Sequence, residues 1–257
     1  MTEIIAQLSQ FLEEQDIEIV PVENVESAFR AGEHNVLILH GYNILEMMEE
    51  MEEEHDSLSS FVENTLQEAE ELPVDEAWKR IVQSALTYAS LTPEQKDVEG
   101  KDFDDLFGAY ALLWENEKLL DLTIIDSAIE PVTLEPSWIQ QRLEEEEEQL
   151  LVLHLPQQSG YEAALWIPMG GFNECPLPLC QAVIFKHWQE KYNTTPLAVS
   201  QDSWVIRTGQ RPQTEEEAIQ LAKEHFMLCS YVLESFDTLG QYADYLMKHD
   251  VWHFWWD

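Results

Sequence analysis

The chain has 257 residues, of which 45% are hydrophobic and 11% aromatic, a composition typical of a folded globule rather than a disordered chain. Its 13 Lys and Arg residues stand against 51 Asp and Glu residues, a formal net charge of −38, which would repel nucleic acids and anionic membranes. The sequence contains no run of about 18 apolar residues and no signal-peptide pattern at its start, so we expect neither a membrane span nor export. We therefore expect a cytoplasmic protein whose acidity serves solubility or attracts a basic protein partner or cations.

Helix and strand patterns alternate at the start of the chain. Apolar residues at helical spacing predict a helix over Thr2–Gln15, and short apolar runs predict strands over Ile17–Val22 and Val36–His40. A short helix is expected between these strands, over Val25–Ala31. Two strands joined through a helix indicate a βαβ unit.

The region that follows is predicted to be mainly helical. A helix is expected to begin after Gly41-Tyr42-Asn43, with methionines facing inward and glutamates facing solvent. His40 and Tyr42, in the loop before it, could line a ligand site, although a plain turn between strand and helix is the simpler interpretation. A strand is expected over Leu119–Ile125. Three further helices are predicted by the stripes Leu58, Phe61, Val62, Leu66 and Ala69; Val74, Ala77, Trp78, Ile81, Val82, Ala85 and Leu86; and Phe103, Phe107, Tyr110 and Trp114.

The segment Pro131–Gln149 is the expected domain boundary. Pro136 can open a helix there that runs into five consecutive acids, Glu144–Glu148. Such a run is normally solvated and lacks the fixed geometry of a cation site. We expect a helix-rich α/β region over residues 1–148 and a C-terminal domain over residues 149–257.

The C-terminal domain is expected to be a mixed α/β domain around a small central sheet. Its predicted strands are Leu150–Leu155, Tyr161–Pro168, Pro196–Ser200, Trp204–Thr208 and Val251–Trp256. A capping box at Thr214 predicts one helix start, and Thr238 is a cap for a last helix over Leu239–Lys248. The terminal strand is apolar on both faces, which favours a central place in the sheet and either core packing or stacking of its aromatic rings on a ligand.

The stretch Gly170–Tyr192 carries the strongest local signals. Gly170-Gly171 allows a tight turn or close approach of another chain, and Pro176 suits the first position of a helix, which would place Cys175 near the N-cap. A thiol at a helix N-terminus can ionise readily, so Cys175 is a candidate nucleophile with Glu174 beside it. The simpler interpretation is a glycine turn followed by a buried cysteine.

Two kinds of chemistry are possible around this stretch. Cys175 and His225 could form a nucleophile and base pair, oriented by Glu174, Asp202 or Asp257. His225 and Cys229 share a helix face at metal-ligand spacing, and Cys175 and His253 could complete such a site, although a core histidine is the simpler interpretation. No phosphate-loop, dinucleotide or zinc-protease pattern occurs in the sequence, so no cofactor is predicted. The ligand-binding candidates are Gly170, Gly171, Asn173, Asp202, Trp255 and Asp257.

Several of these features together resemble the bacterial family catalogued as domain of unknown function 4253. They are the motif GGFNECP at Gly170–Pro176, the spacing of Trp188 and Tyr192, Asp202, the helix Ala218–Cys229, and the terminal Trp252–Asp257. The resemblance covers about Trp166–Asp257 and implies no activity. The chain departs from the family pattern at Asn193-Thr194, Ser230-Tyr231 and Val205.

These observations predict an α+β protein with a helix-rich N-terminal half and a few strands there. The function that fits them best is a non-catalytic protein-binding or regulatory module, of the immunity type by analogy, whose acidic surface contacts a basic protein and neither nucleic acid nor membrane. The alternative is an enzyme with a cysteine and histidine site, or a metal-assisted hydrolytic site, near Cys175 and His225. The sequence does not predict the oligomeric state.

Overall fold

The structure is a computed structural model, which describes part of the chain. The described residues are 3–20, 35–38, 42–114, 120–130, 151–156 and 159–257. The helix predicted over Val25–Ala31, His40 of the possible ligand loop, and the boundary segment with Glu144–Glu148 lie outside them.

Helices dominate the described part of the N-terminal region. Its elements are α1 (Glu3–Glu14), β1 (Glu18–Val20), β2 (Asn35–Ile38), α2 (Tyr42–His55), α3 (Leu58–Glu71), α4 (Val74–Thr87), α5 (Pro93–Lys96) and α6 (Phe103–Ala111). Side-chain oxygens of Ser57, Thr92 and Asp102 cap the starts of α3, α5 and α6, which satisfies backbone N–H groups that a helix start leaves free. The inward residues of the predicted stripes, such as Leu58, Trp78 and Tyr110, are buried.

The C-terminal region combines strands and helices. Its elements are β3 (Leu151–His154), a 3-10 turn (Gly160–Glu162), α7 (Ala163–Trp166), α8 (Pro178–Tyr192), β4 (Thr194–Val199), β5 (Ser203–Thr208), α9 (Glu215–Leu228), a second 3-10 turn (Ser230–Leu233), α10 (Leu239–Lys248) and β6 (Val251–Trp255). The predicted α+β fold class is confirmed. No helix in the described segments is long and apolar enough to span a membrane.

One sheet joins the two regions. Its strand order is β1-β3-β2-β4-β5-β6, and β2 pairs in parallel with β4, while the other neighbours are antiparallel. Because β1 and β2 both run antiparallel to β3, they are parallel to each other, as the βαβ pattern predicts, but β3 lies between them. The parallel pairing of Leu37 with Ala198 thus connects the N-terminal strands to the C-terminal ones.

Two predicted strands are wrong. Tyr161–Pro168 forms the 3-10 turn and α7 instead, because Ser159 and Glu162 make a capping box that starts a helical turn. All residues of Tyr161–Pro168 are buried, a pattern that a helix and a buried strand share. The described part of Leu119–Ile125 includes no strand; the carbonyl of Asp121 there accepts the Gly240 N–H of α10 at 2.8 Å.

The terminal strand β6 lies at the edge of the described sheet, so the predicted central position is also wrong. Trp252 and Phe254 are buried on one face, whereas His253 on the other face is exposed. The second face is aromatic because Trp255 packs against Tyr231 of the second 3-10 turn, with ring centroids 5.2 Å apart. The second 3-10 turn therefore covers part of this face, which explains its aromatic residue at the edge of the sheet.

The helix α8 forms the centre of the core. Its residues Cys180–Phe185 are all buried, and it packs against α3 and α4 on one side and against the sheet on the other, where Trp188 stacks on Phe254. The helix begins at Pro178 with Leu177 as its N-cap residue. The predicted start at Pro176 is therefore two residues too early.

Candidate functional site

The GGFNECP turn has a backbone that only particular residues can adopt. Gly170 and Gly171 have φ values of 143° and 79°, and Asn173 has a φ of 45°, a left-handed conformation that asparagine tolerates better than most residues. A Cβ atom on Gly170 would collide with the carbonyl oxygen of Pro176. Gly170 is therefore required for the close approach of the two ends of the turn.

Gln181 of α8 ties the turn together. Its side-chain amide donates to the carbonyl oxygens of Met169 and Pro176, at 2.6 and 2.7 Å. Its carbonyl oxygen accepts the indole N–H of Trp204 on β5 at 2.8 Å. One buried side chain thus fixes both ends of the turn to the sheet. The sequence interpretation missed Gln181, although a polar residue within a wholly apolar run is a signal that it satisfies buried polar groups.

The two signature motifs lie against each other. The side-chain amide of Asn173 donates to the backbone carbonyl of Asp257, and the hydroxyl of Ser230 donates to Glu174 at 3.4 Å. Asp202 holds the turn between β4 and β5, where its carboxylate accepts hydrogen bonds from Ser200 and Ser203 and its backbone carbonyl accepts the N–H of Trp256. These contacts link three of the ligand-binding candidates, Asn173, Asp202 and Asp257, through the backbone of the terminal residues.

Cys175 is buried, with 5% of its surface exposed. Its thiol lies 3.5 Å from the sulfur of Met169 and accepts a hydrogen bond from Gln181. Because α8 begins at Pro178, the thiol is not at the helix N-cap. Burial raises the pKa of Cys175 well above its ordinary value, with the Cys229 thiol as a smaller cause, so the group is a neutral thiol at neutral pH.

His225 is sealed in the aromatic core. It has no exposed surface, its Nδ1 lies 2.8 Å from the hydroxyl of Tyr242, and its ring packs against Trp188, Trp252 and Phe254 with centroids 4.5–4.9 Å away. Burial lowers the pKa of His225 well below its ordinary value, which keeps the ring neutral. The hydrogen bonds of His225 and Cys175 go to different partners, so neither one orients the other.

The metal candidates also have other partners. The thiol of Cys229 donates to the carbonyl of Trp255 at 3.0 Å, and burial raises its pKa to about 12. His253 lies on the exposed face of β6, away from the buried face that holds Trp252. Among the described residues, no group of three or more His, Cys, Asp or Glu side chains is placed to hold a metal ion.

A buried carboxylate lies beside His225 and was not predicted. Glu224 is 3% exposed, accepts the indole N–H of Trp188 at 2.8 Å and lies 3.7 Å from His187. Burial alone would raise the pKa of Glu224, but His187, Trp188 and Lys191 more than offset it and hold that pKa below its ordinary value. Glu224 makes its contacts with neighbouring side chains of the fold, so we interpret it as a structural residue.

Two clefts flank the GGFNECP turn, and Asn173 borders both. The first has a volume of about 460 Å³ and contains Arg80, Glu174 and Cys175 in its wall. Tyr88 and Leu177, which also line it, are 94% and 62% exposed. The second has a volume of about 410 Å³ and is lined by Glu46, Glu50, Asp202 and Asp257 together with Met47 and Phe172.

The second cleft continues along α2 into a third, of about 430 Å³, which Glu14, Glu46 and Glu49 line. We call the carboxylates of these two clefts the acidic face; they are Glu14, Glu46, Glu49, Glu50, Asp202 and Asp257. Within the described part of the chain, none of them forms an ion pair with a basic side chain. The acidic face therefore has no internal counter-charge there.

Comparison with known proteins gives a match for the C-terminal region. No curated protein and no solved structure gave a significant match. Residues 151–257 match the family model described as Domain of unknown function (DUF4253), and this stretch contains the GGFNECP turn and the terminal aromatic strand. The resemblance predicted from these motifs is confirmed. The C-terminal region of this chain, residues 151–257, is therefore similar to the family described as Domain of unknown function (DUF4253).

Proposed function

We propose that this chain is a non-catalytic binding module, and that its acidic face holds a basic protein partner. The observation that carries the proposal is the concentration of exposed carboxylates without basic partners on α2, beside two clefts. Glu46, Glu49 and Glu50 are exposed on a single helix. Glu46 lies three residues from Glu49 and four from Glu50, spacings at which like charges on a helix repel. A basic partner would relieve that repulsion and would be steered toward the face by its field.

The apolar residues that lie between the carboxylates of the acidic face favour a protein partner over a simple cation. Met47 and Phe172 line the second cleft between its carboxylates. A lysine or arginine side chain carries an apolar stem below its charged head, so it suits such a mixed lining better than a bare ion does. A regulatory or immunity-type role and a cytoplasmic location stay predictions.

The alternative of a cysteine and histidine enzyme has less support. Cys175 borders the first cleft, but burial raises its pKa, and His225 has no exposed surface through which it could reach a substrate. A nucleophile and its base need mutual hydrogen-bond reach and access to the reacting group. We therefore propose that the carboxylates, and not Cys175 and His225, form the binding surface.

The test compares two triple variants of equal charge. Glu46→Gln/Glu49→Gln/Glu50→Gln removes three carboxylates of the acidic face, and Glu63→Gln/Glu70→Gln/Glu99→Gln removes three exposed carboxylates elsewhere. The probe is a fluorescein-labelled peptide of eight lysines alternating with alanines, titrated at low salt. A matched peptide with glutamine in place of lysine reports any binding that does not depend on charge.

We expect the dissociation constant of the lysine peptide to rise about ten-fold in the acidic-face variant, equivalent to about 1.4 kcal/mol. The control variant should shift it by less than about two-fold, because it lowers only the overall field. Equal weakening in the two variants would show that the net charge alone attracts the peptide. That result, or no weakening in either variant, would overturn the proposal.

A further inference from the structure

We propose that a separate cleft, beside β6, binds the guanidinium or ammonium head of an arginine or lysine side chain. This inference rests on the proposed function, since it names a second place where a basic partner is held. The cleft has a volume of about 240 Å³ and lies between the second 3-10 turn, α10 and the outer face of β6. That volume is below the roughly 300–1,000 Å³ of pockets for drug-sized ligands, so it suits a single side chain.

Phenol, phenyl and indole rings form a large part of the cleft wall, beside the imidazole of His253, and they belong to Tyr231, Phe236, Tyr242, Tyr245 and Trp255. These rings fix one another in place. Tyr231 and Trp255 meet at 71° with centroids 5.2 Å apart, and Phe236 and Tyr245 meet at 70° with centroids 5.3 Å apart. A cation in the cleft would meet the partly exposed rings of Tyr231 and Trp255, and the negative charge of such ring faces attracts cations.

Two carboxylates border the same cleft. Glu130 and Glu234 are both exposed and line it, and neither has a basic partner within the described residues. Lys248 of α10 is already held by Asp126 and Asp244. Burial first, and then Asp250 and Glu130, raise the pKa of Tyr245, which agrees with a negative potential at this wall.

The charge of the cleft selects among the possible occupants. An anion would be repelled by Glu130 and Glu234, and an apolar group would cover these carboxylates without a compensating contact. An added β-strand along the edge of β6 is also disfavoured. The carbonyls of Val251 and Trp255 already accept hydrogen bonds from the Tyr245 hydroxyl and the Cys229 thiol, so part of the backbone at this edge is occupied.

The experiment uses the full chain labelled with ¹⁵N. The side-chain indole N–H signal of Trp255 is assigned by comparison with Trp255→Phe, and the protein is titrated with the capped peptide Gly-Gly-Arg-Gly-Gly. The same peptide with citrulline in place of arginine keeps the shape of the side chain and removes its charge. Glu130→Gln/Glu234→Gln removes both carboxylates at exposed positions, and urea unfolding checks that this variant keeps its fold.

We expect the arginine peptide to shift the Trp255 signal saturably, with a dissociation constant in the range of about 1–10 mM for one exposed cation–π contact with charge support. The citrulline peptide should give no saturable shift, and Glu130→Gln/Glu234→Gln should weaken the arginine response at least about five-fold. Equal shifts by the two peptides, or no saturation with arginine, would overturn the inference.

The two proposals fail separately. If the lysine peptide depends on Glu46, Glu49 and Glu50 but the arginine peptide leaves Trp255 unmoved, the acidic face stands and the β6 cleft does not. If the arginine peptide shifts Trp255 while the acidic-face variant binds the lysine peptide normally, the cleft stands and the proposed role of the acidic face is wrong.

Discussion

At the scale of single residues, the three cysteines lie in the packed interior of the protein. All are free and buried. Cys175 packs on Met169, Cys229 donates to the carbonyl of Trp255 on the edge strand, and Cys180 lies on the wall of the first cleft. Burial raises the pKa of Cys180 to about 11 and that of Cys229 to about 12. Each therefore favours the protonated thiol in the folded state.

The burial of these thiols predicts slow alkylation and a stability that falls at high pH. In the folded protein at pH about 7.5, iodoacetamide should label the three cysteines at least about 100-fold more slowly than in urea, because the thiolate is the reactive form. The folded pKa values lie above the ordinary value of 9.0, so the associated stability is fully present below pH 9 and is lost as the pH rises through the folded pKa values. The urea midpoint should therefore be lower at pH 10 than at pH 7.5. Rapid labelling of Cys175 at neutral pH would contradict this and would favour the nucleophile hypothesis.

At the scale of elements, α8 and the turn before it form one unit. The turn depends on the left-handed backbone of Gly171 and Asn173, and Gln181 holds both of its ends. Asn173 then links the turn to the last residue, Asp257. The two motifs that carry the family resemblance are therefore joined by packing and hydrogen bonds, which explains their pairing without a shared chemical reaction.

The variant Gln181→Leu tests this unit. It keeps a similar volume but leaves the carbonyls of Met169 and Pro176 and the indole of Trp204 without their donor or acceptor. We expect a loss of about 2–4 kcal/mol in the free energy of unfolding, measured with urea, because buried polar groups without partners are costly. The control Gln83→Leu, at an exposed position of α4, should change it by less than about 0.5 kcal/mol. Similar values for the two variants would mean that Gln181 does not hold the turn.

The sequence predicted some elements well because their local signals agree. The last helix, Leu239–Lys248, has a cap at Thr238 and a clear apolar stripe, and its predicted bounds match the structure. The start of α8 was misplaced because Pro176 and Pro178 both suit the first helical position, and only the packing of the turn selects the second. Two of the partners of Gln181, Met169 and Trp204, lie 12 and 23 residues away in the sequence, so no local pattern could reveal them.

The position of β6 was missed for a related reason. An aromatic strand with two apolar faces usually lies inside a sheet, but here Tyr231 covers Trp255 from a 3-10 turn. The sheet order depends on pairings such as Leu37 with Ala198, across more than half of the chain. For the candidate site, the sequence identified the residues of the turn, and its simpler interpretations, a buried Cys175 and a core His225, agree with the burial of both side chains.

At the scale of the whole molecule, charge is the dominant feature. The net charge of −38 is spread over a chain whose described ion pairs involve few basic residues, such as Arg80 with Glu68 and Lys223 with Asp104. Like charges on a compact body repel one another and oppose folding. The acidic surface therefore lowers the stability of the fold.

Salt should therefore stabilise the isolated protein. Raising NaCl from about 20 mM to about 500 mM shortens the Debye length several-fold, and we expect the midpoint of thermal unfolding to rise by several degrees. Glu46→Gln/Glu49→Gln/Glu50→Gln should show a smaller rise, because part of the repulsion is already removed. A midpoint that falls with salt would mean that attractive ion pairs outweigh the repulsion.

The central claim is that the acidic face binds a basic partner and does not serve the fold. The most direct test measures two properties of Glu46→Gln/Glu49→Gln/Glu50→Gln: its urea unfolding midpoint and its dissociation constant for the lysine peptide. We predict that the midpoint stays equal or rises while the dissociation constant rises about ten-fold, because Glu46, Glu49 and Glu50 repel one another and have no basic partner in the described chain. A lower midpoint with unchanged peptide affinity would contradict the claim, since these carboxylates would then serve the fold and not a partner.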